Sequence, residues 1–140
     1  MVNKLTGNII AFIMISKYKG GFENLEAWKE ARKLRLAVFQ FIKTLPDDEK
    51  YRLLDQLYRS SRSLTANIAE RFWRYHYKEN IQFCRQARGS LTETMDHLIC
   101  ALDMKFIDQI RLDEFRKEYE HVLKLLNGYI AYLKQRKNEI

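Results

Sequence analysis

The stretch FRKEYEHVLKLLNGYIAYL, residues 115–133, decides the fold class. Within it Phe115, Tyr119, Val122, Leu126, Tyr129 and Leu133 recur in steps of four and three, the seam spacing of a packed helix. The pattern predicts a helix from about Leu112 to Lys137. A helix with one apolar stripe needs partners to bury it, so the remaining chain should supply them.

It supplies three more. Ile81, Cys84, Ala87 or Arg88, Leu91, Met95, Leu98 and Leu102 step by three and four, predicting a helix from about Lys78 to Met104. Gly89 falls in its middle, where it costs about 1 kcal/mol relative to alanine; a close backbone contact would explain it. A further helix is predicted to start near Asp48, behind the acidic, dipole-compatible Asp47, Asp48 and Glu49. Its stripe is Leu54, Leu57, Ser61, Leu64, Ile68 and Phe72, with small residues at mid-length that permit close helix approach. The first helix is expected from about Leu25 to Thr44, with Asn24 as N-cap and Leu45-Pro46 closing it. Its stripe is Trp28, Ala31, Leu34, Val38, Ile42 and Leu45. Connections are short apart from the turn between Asp103 and Arg111, so neighbours should be antiparallel. The expected fold is an all-α, up-down antiparallel four-helix bundle over residues 22–140.

Composition agrees. One proline and five glycines in 140 residues leave few helix breakers. Hydrophobic residues at 46% and charged residues at 31% suit a folded, soluble chain rather than a disordered one. Cys84 and Cys100 lie in one predicted helix, 16 residues apart and therefore separated by about 24 Å of rise. A disulfide between them within that helix is impossible, and free thiols in a reducing, cytoplasmic setting are expected.

Residues 1–21 do not share the bundle pattern. They carry Lys4, Lys17 and Lys19 and no acid, with an apolar run of seven residues from Ile9 to Ile15. That run is too short to cross a membrane. The preferred reading is a functionless extension before a natural start at Met14; a docking segment and a secretory signal are the alternatives.

The net charge is +7, and its distribution says more than the total. Between Tyr51 and Ser90 eight Lys and Arg face three acids. At the junction of the second and third helices, Arg71-Phe72-Trp73-Arg74-Tyr75-His76-Tyr77-Lys78 interleaves aromatics with cations. Cations neutralise phosphates and aromatic faces stack on unpaired bases. Arg71, Arg74, Tyr75, Tyr77 and Lys78 are therefore candidates for nucleic-acid binding, extended by Arg59, Arg62, Arg85 and Arg88 on the adjoining helices. The alternative is that Phe72 and Trp73 close the end of the core while the cations stay solvated; for Phe72 that reading is preferred.

Two polar rows flank the apolar seams. Ser63, Asn67, Glu70 and Arg74 form one, and Gln86, Ser90, Glu93 and His97 the other. They suit helix–helix or subunit contacts, or else solvated flanks with a Glu70–Arg74 pair worth a few tenths of a kcal/mol. Catalysis finds little support. His76, His97 and His121 show no metal-ligand spacing, no glycine-rich phosphate loop occurs, and Glu118-x-x-His121 has no second copy. No enzyme activity, metal or cofactor is expected.

Three motifs carry a resemblance. They are FENLEAW at residues 22–28, LDQLYRSSRSLTANIAE at 54–70 and ARGSLTET at 87–94. Over residues 22–133 the chain resembles the four-helix-bundle 23S ribosomal RNA intervening-sequence proteins. The resemblance implies a ring-like homopentamer, and RNA association is inferred for the family from genetic setting and charge. A related branch comprises accessory proteins of diversity-generating retroelements, which bind a reverse transcriptase and its template RNA. The family pattern has glycine after Asn-Ile-Ala-Glu; Arg71 stands there instead, a modest pointer to the retroelement branch. With the resemblance counted, Ser63, Asn67, Glu70, Ser90 and Glu93 read as helix or subunit contacts. A non-enzymatic RNA-binding oligomer is the leading functional expectation, with a protein-interaction scaffold as the competitor.

Overall fold

The structure is a computed structural model that describes residues 21–72 and 76–139, with side chains to residue 136. Residues 1–20 of the expected extension at 1–21, and Trp73, Arg74 and Tyr75, lie outside the described residues. Four α-helices are present: α1 Glu26–Ile42, α2 Leu53–Arg71, α3 Tyr77–Asp103 and α4 Gln109–Glu139. No strand occurs among the described residues. Each helix packs on its sequence neighbours, and α1 closes the ring against α4; the diagonal pairs make no close approach. This is the four-helix bundle that the four stripes require.

The helix boundaries follow local chemistry. Before α1, Phe22–Asn24 forms a 3-10 turn and Leu25, in extended backbone, occupies the N-cap position without a side-chain cap. Asn24 is thus not the N-cap, because burial of Leu25 in the core outweighs the cap preference. The second helix also starts later than Asp48. Asp47–Glu49 form a separate 3-10 turn after Pro46, and Arg52 breaks the backbone at φ −120°, ψ −108°. Glu49 is buried, and its carboxylate accepts the Leu53 N–H at 3.3 Å, satisfying an orphan donor of α2.

At the end of α3, Lys105 takes a left-handed φ of 63°. The Phe106 N–H bonds to Ala101 O and the Lys105 N–H to Leu102 O, both at 2.9 Å, which is a Schellman stop. Phe106 then packs against the core. Glycine usually fills the left-handed position, so Lys105 adopts it at a cost of roughly 1 kcal/mol.

The main core runs the length of the bundle. Ala31, Leu34, Val38, Leu57, Leu64, Ile68, Leu91, Leu98, Phe115, Val122 and Leu126 are all at most 1% exposed. A smaller cluster of Ile81, Cys84, Ile130 and Leu133 fills the end between α3 and α4, flanked by Tyr77, Tyr129 and Tyr132. Phe72 belongs to the main core, in agreement with its reading as a plug. Both cysteines are free; Cys84 is buried and Cys100 half-buried. Gly89 meets no close neighbour: a Cβ there has no atom within 4 Å among the described residues. No helix among the described residues is long and apolar enough to cross a membrane.

Candidate nucleic-acid interface

The polar rows resolve first, because they decide how α2 and α3 meet. The buried Thr94 hydroxyl donates to Ser60 Oγ at 2.9 Å across the interface and also approaches Ser90 O at 2.8 Å. One turn along, Ser63 Oγ and Ser90 Oγ lie 2.9 Å apart. Asn67 donates to Ser63 O at 2.9 Å and to Ser63 Oγ at 3.2 Å. Ser63, Asn67 and Ser90 thus form a helix–helix ladder, completed by Ser60 and Thr94. Neither Ser60 nor Thr94 is among the residues that the sequence marks for the two polar rows. Small side chains suit a close approach of the two helices, and the hydroxyls satisfy one another across it. Glu70 and Glu93 are exposed, and His97 Nε2 lies 3.3 Å from Glu93 Oε1.

Among the described residues the candidate cations do not converge on one patch. Arg71 is 5% exposed, so it is not the surface cation that the sequence suggested. Its guanidinium carbon lies 3.5 Å from the Tyr129 ring centroid, and Nη2 has no hydrogen-bond partner among the described residues. A planar, weakly hydrated guanidinium is the cation best able to enter an apolar site by stacking. Buried at the bundle end, it adds no phosphate-binding charge, and the pointer to the retroelement branch loses that support. Burial pushes the nearby Cys84 thiol above its ordinary value, although Arg71 and Arg88 pull it the other way.

Arg59 is exposed and pairs with Asp55, Nε to Oδ2 3.1 Å. Arg62 lines a groove shared with α1, with its guanidinium 5.0 Å over Tyr58 of its own helix. Arg88 leans on α4 and donates to Asn127 Oδ1 at 2.9 Å. Lys78 and Arg85 are exposed and seven residues apart, on one flank of α3. Tyr77 is half-buried beside the smaller cluster rather than spread on the surface. Arg74 and Tyr75 fall outside the described residues.

A surface that the sequence reading missed lies between α1 and α2. Leu36, Phe39 and Tyr58 are 45%, 40% and 37% exposed there, beside Arg35 and Arg62. The signal was present: Leu36 and Phe39 are apolar yet fall off the α1 stripe. On the α1–α4 side, Glu118 is held above the usual carboxyl range. Burial is the main cause; Glu30 and Glu114 add to it, while Arg111 and Lys33 oppose. His121 Nδ1 lies 3.8 Å from Glu30 Oε2, and no group of three or more His, Cys, Asp or Glu is placed to hold a metal among the described residues.

Fold and surface together define a small all-α up-down bundle with cations spread over several faces. A family model for 23S rRNA-intervening sequence proteins matches residues 23–128, and the chain belongs to that family. A search of curated proteins finds no match.

Proposed function

We propose that this chain is a non-enzymatic RNA-binding protein of the cytoplasm that works as a homo-oligomer, the ring-like pentamer that its resemblance implies. Membership of the family described as 23S rRNA-intervening sequence proteins supports an RNA-related reading. The observation that carries the reading is the α3 flank: Lys78 and Arg85 are exposed there, with no ion pair among the described residues. Arg62 and the half-exposed Arg88 add charge on the neighbouring faces. Such cations release counterions from a phosphate backbone, which gives affinity without sequence readout.

The test is binding of a structured RNA as a function of salt. Affinity should fall steeply as salt rises, and Lys78→Ala with Arg85→Ala should flatten the logarithmic slope by about 1.5 to 2. Binding that is absent at low salt, or indifferent to salt, refutes the proposal. Arg71→Ala is unsuited to this test, because it removes a buried stacking partner. Sedimentation should give a mass near five times 16.9 kDa; a monomer removes the assembly.

A further inference from the structure

The outer groove between α1 and α2 has a volume of about 410 Å³ and opens to solvent. Leu36, Phe39 and Tyr58 form its exposed apolar walls, over buried Ile42. Arg35 and Arg62 line it, and no carboxylate does. Each exposed ring comes with a cation: Lys43 Nζ is 4.5 Å from the Phe39 centroid and the Arg62 guanidinium 5.0 Å from that of Tyr58. Arg35 is held in place by a 2.8 Å bond to Thr65 Oγ1 on α2. The surface continues along α1 to Trp28, Lys29, Arg32 and Lys33, where Glu23 adds one carboxylate against these cations.

We infer that this groove takes single-stranded RNA, with Phe39 and Tyr58 stacking on unpaired bases and Arg35 and Arg62 meeting the phosphates. The inference rests on the RNA-binding reading above and adds to the α3 flank a second site, for unpaired strands. Charge decides the occupant. A second copy of a chain with net charge +7 brings no general excess of acid to two arginines, whereas every nucleotide brings a phosphate. Ring faces decide the strand state. A duplex offers stacked bases that are closed to side chains, whereas a single strand offers each base to an aromatic platform. The α3 flank, with cations and no exposed ring described beside them, suits backbone contact alone.

The experiment uses the full chain and two labelled RNAs: a mixed-sequence single strand of about twelve nucleotides and a hairpin duplex of similar charge. Affinities are read by fluorescence anisotropy at low salt. Phe39→Leu and Tyr58→Leu keep the apolar wall and remove the ring, and circular dichroism checks that both variants fold. Each should weaken single-strand binding by about fivefold to a hundredfold, with the hairpin changed by no more than about twofold. Arg62→Gln should lower the single-strand salt slope by about 0.7.

Unchanged single-strand affinity, or equal loss on both RNAs, overturns the groove. So does a change of solution mass with RNA affinity intact, which would make the groove a contact between copies. In all three cases wild-type binding survives, so the RNA-binding reading stands. Failure of the wild-type chain to bind either RNA would remove that reading, and the groove with it.

Discussion

Replacing Gly89 by alanine should stabilise the protein. Gly89 lies in the middle of α3, exposed, and its added Cβ meets no atom within 4 Å among the described residues. Nothing steric then opposes the substitution. Glycine is about 0.8–1.0 kcal/mol less favourable than alanine in a helix interior, chiefly because its unfolded backbone has more freedom to lose. The expected gain is therefore about 1 kcal/mol. An unfolding entropy near 2.1 cal/mol/K per residue, over a bundle of roughly 120 residues, converts this to a Tm rise of about 4 °C. Thermal and urea unfolding followed by circular dichroism measure it. Protein concentration must be held constant, since the Tm of an oligomer depends on it. The urea midpoint should rise with the m-value unchanged. A lower Tm would refute the reasoning. It would mean that the open side of α3 at Gly89 is covered in solution, so that alanine collides with whatever covers it. A drop in solution mass of the variant would identify that cover as another copy of the chain.

Two further outcomes follow from the helix interfaces. Thr94→Val removes the hydroxyl that bonds to Ser60 Oγ and Ser90 O in a fully buried position, and should cost about 1–3 kcal/mol, read as a lower urea midpoint. Glu118→Gln should alter the pH dependence. A carboxyl held above its ordinary value of 4.5 binds its proton more tightly folded than unfolded. Its contribution is fully present at acid pH and is lost as pH rises from that value through the folded one. The variant should therefore gain Tm over wild type at neutral pH, with the difference shrinking toward pH 4.5; a constant difference would count against it.

Much of the bundle was legible because a 3.6-residue period is a local property. The stripe Phe115, Val122, Leu126 and Leu133 is buried as its spacing requires, and so are Ala31, Leu34, Val38 and Ile42 on α1. The missed details were ones in which burial competed with a local preference. Asn24 is the better capping residue, but Leu25 takes the position because its side chain enters the core. Asp48 carries the right charge for a helix start, but Glu49 folds inward and delays α2 to Leu53.

The sequence by itself determined the class of fold, the number of helices and their antiparallel order, because apolar period and short connections leave few other ways to bury four stripes. Only the tertiary structure decided which polar residues belong to the inside. Arg71 has the same neighbours in sequence whether it faces solvent or Tyr129, and its rotation about α2 sets the outcome. Ser60 and Thr94 are 34 positions apart, and only packing of α2 on α3 makes them partners. Likewise Leu36, Phe39, Tyr58 and Arg62 come from two helices, and no period in either one reveals that they share a groove.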